Sequence, residues 1–80
     1  MIAPPGWSEP FQTPNFDEYT YIIKGKKQFI IEDECIILEA GQSIKIEKNT
    51  RIQYSNPFHE SCEYIAICMP AFTIESVNRE

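Results

Sequence analysis

The sequence predicts a small all-β domain, a sandwich or barrel of short strands. Three observations predict it. Isoleucine dominates the aliphatic residues, thirteen against one leucine and one valine, and β-branched side chains that are stiff at χ1 favour strands over helices. Turn-forming residues recur at short intervals, at Gly25, Asp33-Glu34, Ala40-Gly41, Lys48-Asn49 and Asn56-Pro57. Between them run short stretches in which apolar and polar residues alternate with the period of a pleated strand.

Residues 1–16 read as an extended arm. Pro4, Pro5, Pro10 and Pro14 each remove a backbone donor and bias the preceding residue to extended geometry, so no helix forms there. Trp7, Phe11 and Phe16 need cover, which lays the arm along the domain or a neighbour. Residues 17–72 hold the strands, expected near 18–24, 27–32, 35–39, 42–46, 51–55 and 63–69. A two-residue hairpin at Asp33-Glu34 is chemically awkward, because both central positions favour positive φ. Either Glu34 carries a cost of about 1 kcal/mol or the loop is longer. Pro70 ends the last strand, and Thr73 can cap a short helical turn with Ile74 and Val77 in a tail over 73–80.

Eighty residues with a net charge of −5 make one domain with a thin core. Self-association is the natural supplement, and a homodimer is expected. No basic run is present, which argues against a nucleic-acid partner and against an anionic membrane surface. No stretch approaches the ~20 apolar residues of a membrane span, and the first ten residues lack the pattern of a signal peptide. Cys35, Cys62 and Cys68 are odd in number without a C-x-x-C spacing, so buried thiols in a reducing, cytoplasmic setting are expected.

The segment Glu18-Tyr19-Thr20-Tyr21-Ile22-Ile23-Lys24-Gly25 resembles the second half of the first sequence motif of the cupin superfamily. There a Glu is followed at fixed spacing by an aromatic residue, two aliphatics and Gly. Gly41 fits the start of the second motif and Asn56 its closing Asn, fifteen residues separating the two glycines. The resemblance covers about residues 11–70 and implies a small cupin-like jelly-roll β-barrel. Alternation puts Glu18, Thr20 and Ile22 on one strand face and Tyr19, Tyr21 and Ile23 on the other. In the family, the face carrying the Glu lines the lumen.

The departures from the family pattern bear on function. Metal-binding cupins use two His of the first motif, the Glu, and one His of the second. The first pair falls here on Phe11 and Thr13 or on Gln12 and Pro14, and the last His on Ile52. Only Glu18 remains, and a lone carboxylate binds a transition metal poorly. The expectation is therefore no metal and no cofactor, a rebuilt site of Glu18 with Gln12 or His59 being the exception to test.

The resulting expectation is a small-molecule-binding module of unknown specificity. Gln12, Glu18 and Thr20 are the polar pocket candidates, with Ile22, Ile52, Tyr54 and Cys68 as walls. Glu18 either orients a ligand, acts as a general base, or is a structural carboxylate satisfied by Gln12, Thr20 or a tyrosine. His59, the sole histidine, is expected in an exposed loop, and no catalytic residue is assigned. A reactive Cys68 would need a positive neighbour, and none is adjacent in sequence. Two alternatives stand beside this reading. One is a cupin enzyme of isomerase, lyase or oxygenase type with an unusual metal site at Glu18. The other is a structural or interaction subunit whose barrel is filled by its own side chains.

Overall fold

The computed structural model describes residues 1–69 and Glu80. The described residues are all-β: β1 (Ile2–Ala3), β2 (Asp17–Lys24), β3 (Lys26–Ile31), β4 (Glu34–Glu39), β5 (Ser43–Ile46), β6 (Ile52–Ser55) and β7 (Cys62–Met69). They form a four-stranded sheet in the order β1-β7-β2-β5 and a three-stranded sheet in the order β4-β3-β6, antiparallel throughout. Two such sheets folded face to face are the jelly-roll arrangement. No helix among the described residues is long and apolar enough to cross a membrane. The helical turn expected at Thr73, Ile74 and Val77 lies outside the described residues.

Parity along β2 and β7 builds the inner face. Glu18, Thr20 and Ile22 are buried while Tyr19, Tyr21 and Ile23 are exposed. Their partners on β7 are Cys68, Ala66 and Tyr64. From the other sheet, Lys27 and Phe29 on β3 and Ile52 and Tyr54 on β6 point the same way. Phe29 and Tyr54 meet edge to face, with centroids 5.7 Å apart and planes at 77°, a favoured aromatic geometry. Ala3, Ile22, Leu38, Ile46 and Cys62 complete the core.

The arm is laid against its own domain. Met1 exchanges backbone hydrogen bonds with Tyr64, and Ile2 and Ala3 pair with Glu63 and Cys62. The chain then crosses to the second sheet and runs antiparallel to β6, bridging Ser8 to Ser55 and Gln12 to Ile52. Asn56 pins this crossing. Fully buried, its amide donates to the carbonyls of Ala3 and Glu60, and its side-chain oxygen accepts from Phe58 N–H.

Three local details correct the reading of the sequence. The hairpin between β3 and β4 sits one residue early: Ile31 pairs with Glu34, so Glu32 and Asp33 form the turn and Glu32 takes a φ of 53°. Its cost, about 1 kcal/mol, falls on Glu32, and Glu34 stays extended with Ile36 and Leu38 kept on the inward parity. The thiols are not all buried: Cys35 is exposed, because it shares the outward parity of β4 with Ile37 and Glu39. The two-residue β1 was not expected, being too short to show a period.

Candidate functional site

A cavity of about 320 Å3 lies between the sheets. Glu18, Tyr64, Ala66 and Cys68 line it from the four-stranded sheet and Lys27 and Tyr54 from the three-stranded one, while Met1, Glu9, Gln12 and Phe16 close it from the arm and the entry to β2. Of the residues expected in a pocket, Gln12, Glu18, Tyr54 and Cys68 come together here. Thr20, Ile22 and Ile52 do not line it. Thr20 lies beside Glu18 and donates its hydroxyl hydrogen to Oε2 at 2.8 Å. Ile22 and Ile52 are fully buried in the core, since they face regions where the opposing sheet leaves no gap.

Gln12 decides how the family motif maps onto this chain. Gln12, Pro14, Phe16, Glu18, Thr20 and Ile22 are all buried, whereas Phe11 and Thr13 are half-buried. The inward parity thus places the paired histidine positions of the motif on Gln12 and Pro14. Gln12 exchanges backbone hydrogen bonds with Ile52, at 2.9 and 2.8 Å, so positions from both motifs meet across one bridge. The donors around Glu18 do not suit a transition metal. They are an amide, a phenol and a thiol held protonated, and no cluster of three His, Cys, Asp or Glu side chains able to hold a metal exists among the described residues. His59 is exposed in the loop after β6 and takes no part in the cavity lining.

Lys27 is the residue that the sequence reading missed. It is 2% exposed, and its Nζ stands among aromatic rings, 3.4 Å from the centroid of Tyr64, 4.9 Å from Tyr54, 5.3 Å from Phe29 and 5.6 Å from Trp7. No carboxylate of the described residues comes within ion-pair distance of it. Burial lowers this ammonium from its usual 10.5 to about 8, against the opposing negative charge of Glu18, then Cys62 and Glu9. The rings offset part of the desolvation, each contact contributing roughly 0.5–2 kcal/mol. The signal was present in the alternation: Phe29 has to be buried, and Lys27 shares its strand face.

The thiols and phenols around the cavity are held in their neutral forms. Burial, then the Glu18 charge and a weak hydrogen bond to it, push the Cys68 thiol up to about 11. Sγ lies 3.9 Å from Glu18 Oε1. Burial raises Cys62 as well, although Lys27 pulls it back down. The fold thus supplies a positive neighbour to Cys62, where desolvation outweighs it, and gives none to Cys68 among the described residues. Tyr64 is raised to about 12 by burial, then by Glu9 and Glu18. Tyr54 rises further, by burial and then Glu18. A weak hydrogen bond to Glu18 adds to this rise, although no described residue meets the buried hydroxyl at ordinary hydrogen-bond distance.

Comparison with known proteins agrees with this architecture. The chain is 36% identical over its 80 residues to the endoribonuclease YbeY of Myxococcus xanthus (strain DK1622), of which it spans 27%. The crystal structure of AerE from Microcystis aeruginosa superposes with a TM-score of 0.77 at 28% identity, covering 85% of this chain and 32% of AerE. A Cupin 2 conserved barrel domain protein from Salinispora arenicola CNS-205 gives 0.76 at 19% identity, over 84% of this chain and 56% of that one. The chain therefore spans only part of these relatives. The cupin domain family model matches residues 1–68: the chain belongs to the cupin domain family.

Proposed function

We propose that this chain is a small-molecule-binding cupin module. The observation that carries the reading is the cavity between the sheets, whose wall holds a buried ammonium that no oxygen of the described residues meets. Buried polar groups are ordinarily hydrogen-bonded, and an exception calls for a partner that arrives from outside. A barrel filled by its own side chains would leave no such space, so the structural-subunit reading has less support. An enzyme built on a metal at Glu18 has less support too, because the surrounding donors do not form a ligand set. RNA cleavage, named for the Myxococcus relative, is not carried over: the chain is acidic, and its single histidine lies away from the cavity.

Binding is tested by fragment screening with amide NMR of the intact chain. Hits should shift the amides of Lys27, Tyr54 and Cys68. A screen whose hits fall only on the outer sheet face, or that yields none, would overturn the reading.

A homodimer through the outer face of the four-stranded sheet belongs to the same proposal. Tyr19, Tyr21, Ile23, Ile65, Ile67 and Met69 are all more than two-fifths exposed there, a continuous apolar surface of the kind that marks an interface. A cytoplasmic, reducing setting suits three free thiols, one of them exposed.

A further inference from the structure

Glu18 and Lys27 bring opposite charges to the cavity without pairing, and Glu9 also stands on its wall. Glu18 projects from β2, and Thr20 occupies its Oε2 at 2.8 Å. Its Oε1 meets the Cys68 thiol at 3.9 Å, a weak donor, and the Tyr54 hydroxyl lies near the same carboxylate beyond ordinary hydrogen-bond distance. Lys27 projects from the opposite sheet, almost fully buried and surrounded by rings where it borders the cavity. Rings stabilise its charge without taking up the ammonium N–H groups as an oxygen would. Each charge is close enough to influence the other, yet they stay beyond ion-pair distance. The gap between them would be filled by a molecule bearing the same two charges in reverse order.

We propose that the cavity takes a small zwitterion of the free amino-acid class, its carboxylate on Lys27 Nζ and its ammonium on Glu18 Oε1. This rests on the binding reading above and narrows it to a ligand class. Phe16, Tyr64 and Ala66 offer an apolar surface to the side chain. A simple anion would gain Lys27 and meet the repulsion of Glu18 and Glu9. A simple cation would gain Glu18 and meet Lys27. Both fare worse than a molecule that carries both charges, because Coulomb terms are strong where water is excluded. The volume, about 320 Å3, stands at the lower end of the roughly 300–1,000 Å3 usual for small-molecule sites, which suits a single amino acid and not a peptide.

The test is calorimetric titration of the intact chain with the twenty standard L-amino acids. It continues with the decarboxylated amine and the deaminated acid of the tightest binder. The amino acid should bind at least about tenfold more tightly than either analogue, roughly the worth of one charge-assisted hydrogen bond. Lys27→Met should abolish the preference for amino acid over amine, and Glu18→Gln the preference for amino acid over acid. Each variant should leave the other limb intact, with folding checked by circular dichroism. A merely structural role would weaken all three probes alike. If no amino acid binds while the NMR screen finds other cavity ligands, the zwitterion inference falls and the binding module stands. If nothing binds in either experiment, both fall. An acid binding as tightly as its amino acid overturns the role given to Glu18.

Discussion

A Cβ at Gly25 would stand 2.5 Å from the carbonyl oxygen of Ser61 and 3.2 Å from Cα of Cys62. Gly25 turns the chain from β2 of one sheet into β3 of the other with a φ of 81°, where a side chain is strained in any case. Both neighbours are backbone and cannot rotate away. Gly25→Ala is therefore expected to destabilise by at least about 2 kcal/mol, read as a lowered midpoint in urea. Gly41→Ala serves as the control: its φ is 88°, but nothing lies within 4 Å of its Cβ position, so it should cost less.

Asn56 makes three hydrogen bonds from a fully buried position. Asn56→Ala removes all three and leaves the Ala3 and Glu60 carbonyls and the Phe58 amide short of a partner. A loss of about 3 kcal/mol is expected, with faster amide exchange concentrated at Ala3–Trp7 and around Phe58. Uniform exchange across the domain would show that Asn56 does not act locally.

Lys27 makes stability depend on pH in a defined direction. Its pKa is lower in the folded chain, about 8, than the 10.5 of the unfolded one. Below pH 8 both states are protonated and the full burial penalty, about 3 kcal/mol, applies. Above pH 8 the unfolded state binds more protons, so this contribution to stability rises with pH until about 10.5. The raised thiols and phenols act oppositely from about pH 9 upward, which makes the clean measure a difference. The stability of wild type minus that of Lys27→Met should rise by about 1 kcal/mol between pH 7 and pH 9. A flat difference would show that Lys27 is not desolvated in solution.

The poorly satisfied Tyr54 hydroxyl predicts that its removal is tolerated. Tyr54→Phe keeps the edge-to-face contact with Phe29 and deletes a buried donor that meets Glu18 only weakly. The ligand-free protein should gain about 1 kcal/mol in stability, measured as a higher unfolding midpoint. A loss of similar size would mean that the hydroxyl is satisfied.

Light scattering at micromolar concentration is expected to give the mass of a dimer. Ile67 on the outer face is 55% exposed, and Ile67→Lys places a charge at the proposed contact. The variant should be monomeric with an unchanged far-ultraviolet spectrum. A monomeric wild type would overturn the dimer.

Much of the fold was legible because local signals agreed. The alternation of Glu18-Tyr19-Thr20-Tyr21-Ile22 declared both faces of β2, and Gly25 and Asn56 stood where the family pattern needs them. The site was only partly legible, for two physical reasons. Which inward residues border open space depends on the facing sheet, and this separates Glu18 and Cys68 from Ile22 and Ile52 although parity treats them alike. Lys27 was passed over because a lysine ordinarily marks the solvent face. Its burial is possible only because Trp7, Tyr54 and Tyr64 arrive from distant parts of the chain. The turn at Glu32-Asp33 slipped by one residue because no glycine announces it.

The arm along β6 does more than wall the cavity. By exchanging backbone hydrogen bonds through Gly6–Gln12, it occupies the β6 edge of the three-stranded sheet. A bare edge is a template on which strands of other copies can add. The same residues that wall the cavity thus also shield this edge from strand addition, and a substitution that loosens them should raise the tendency to aggregate.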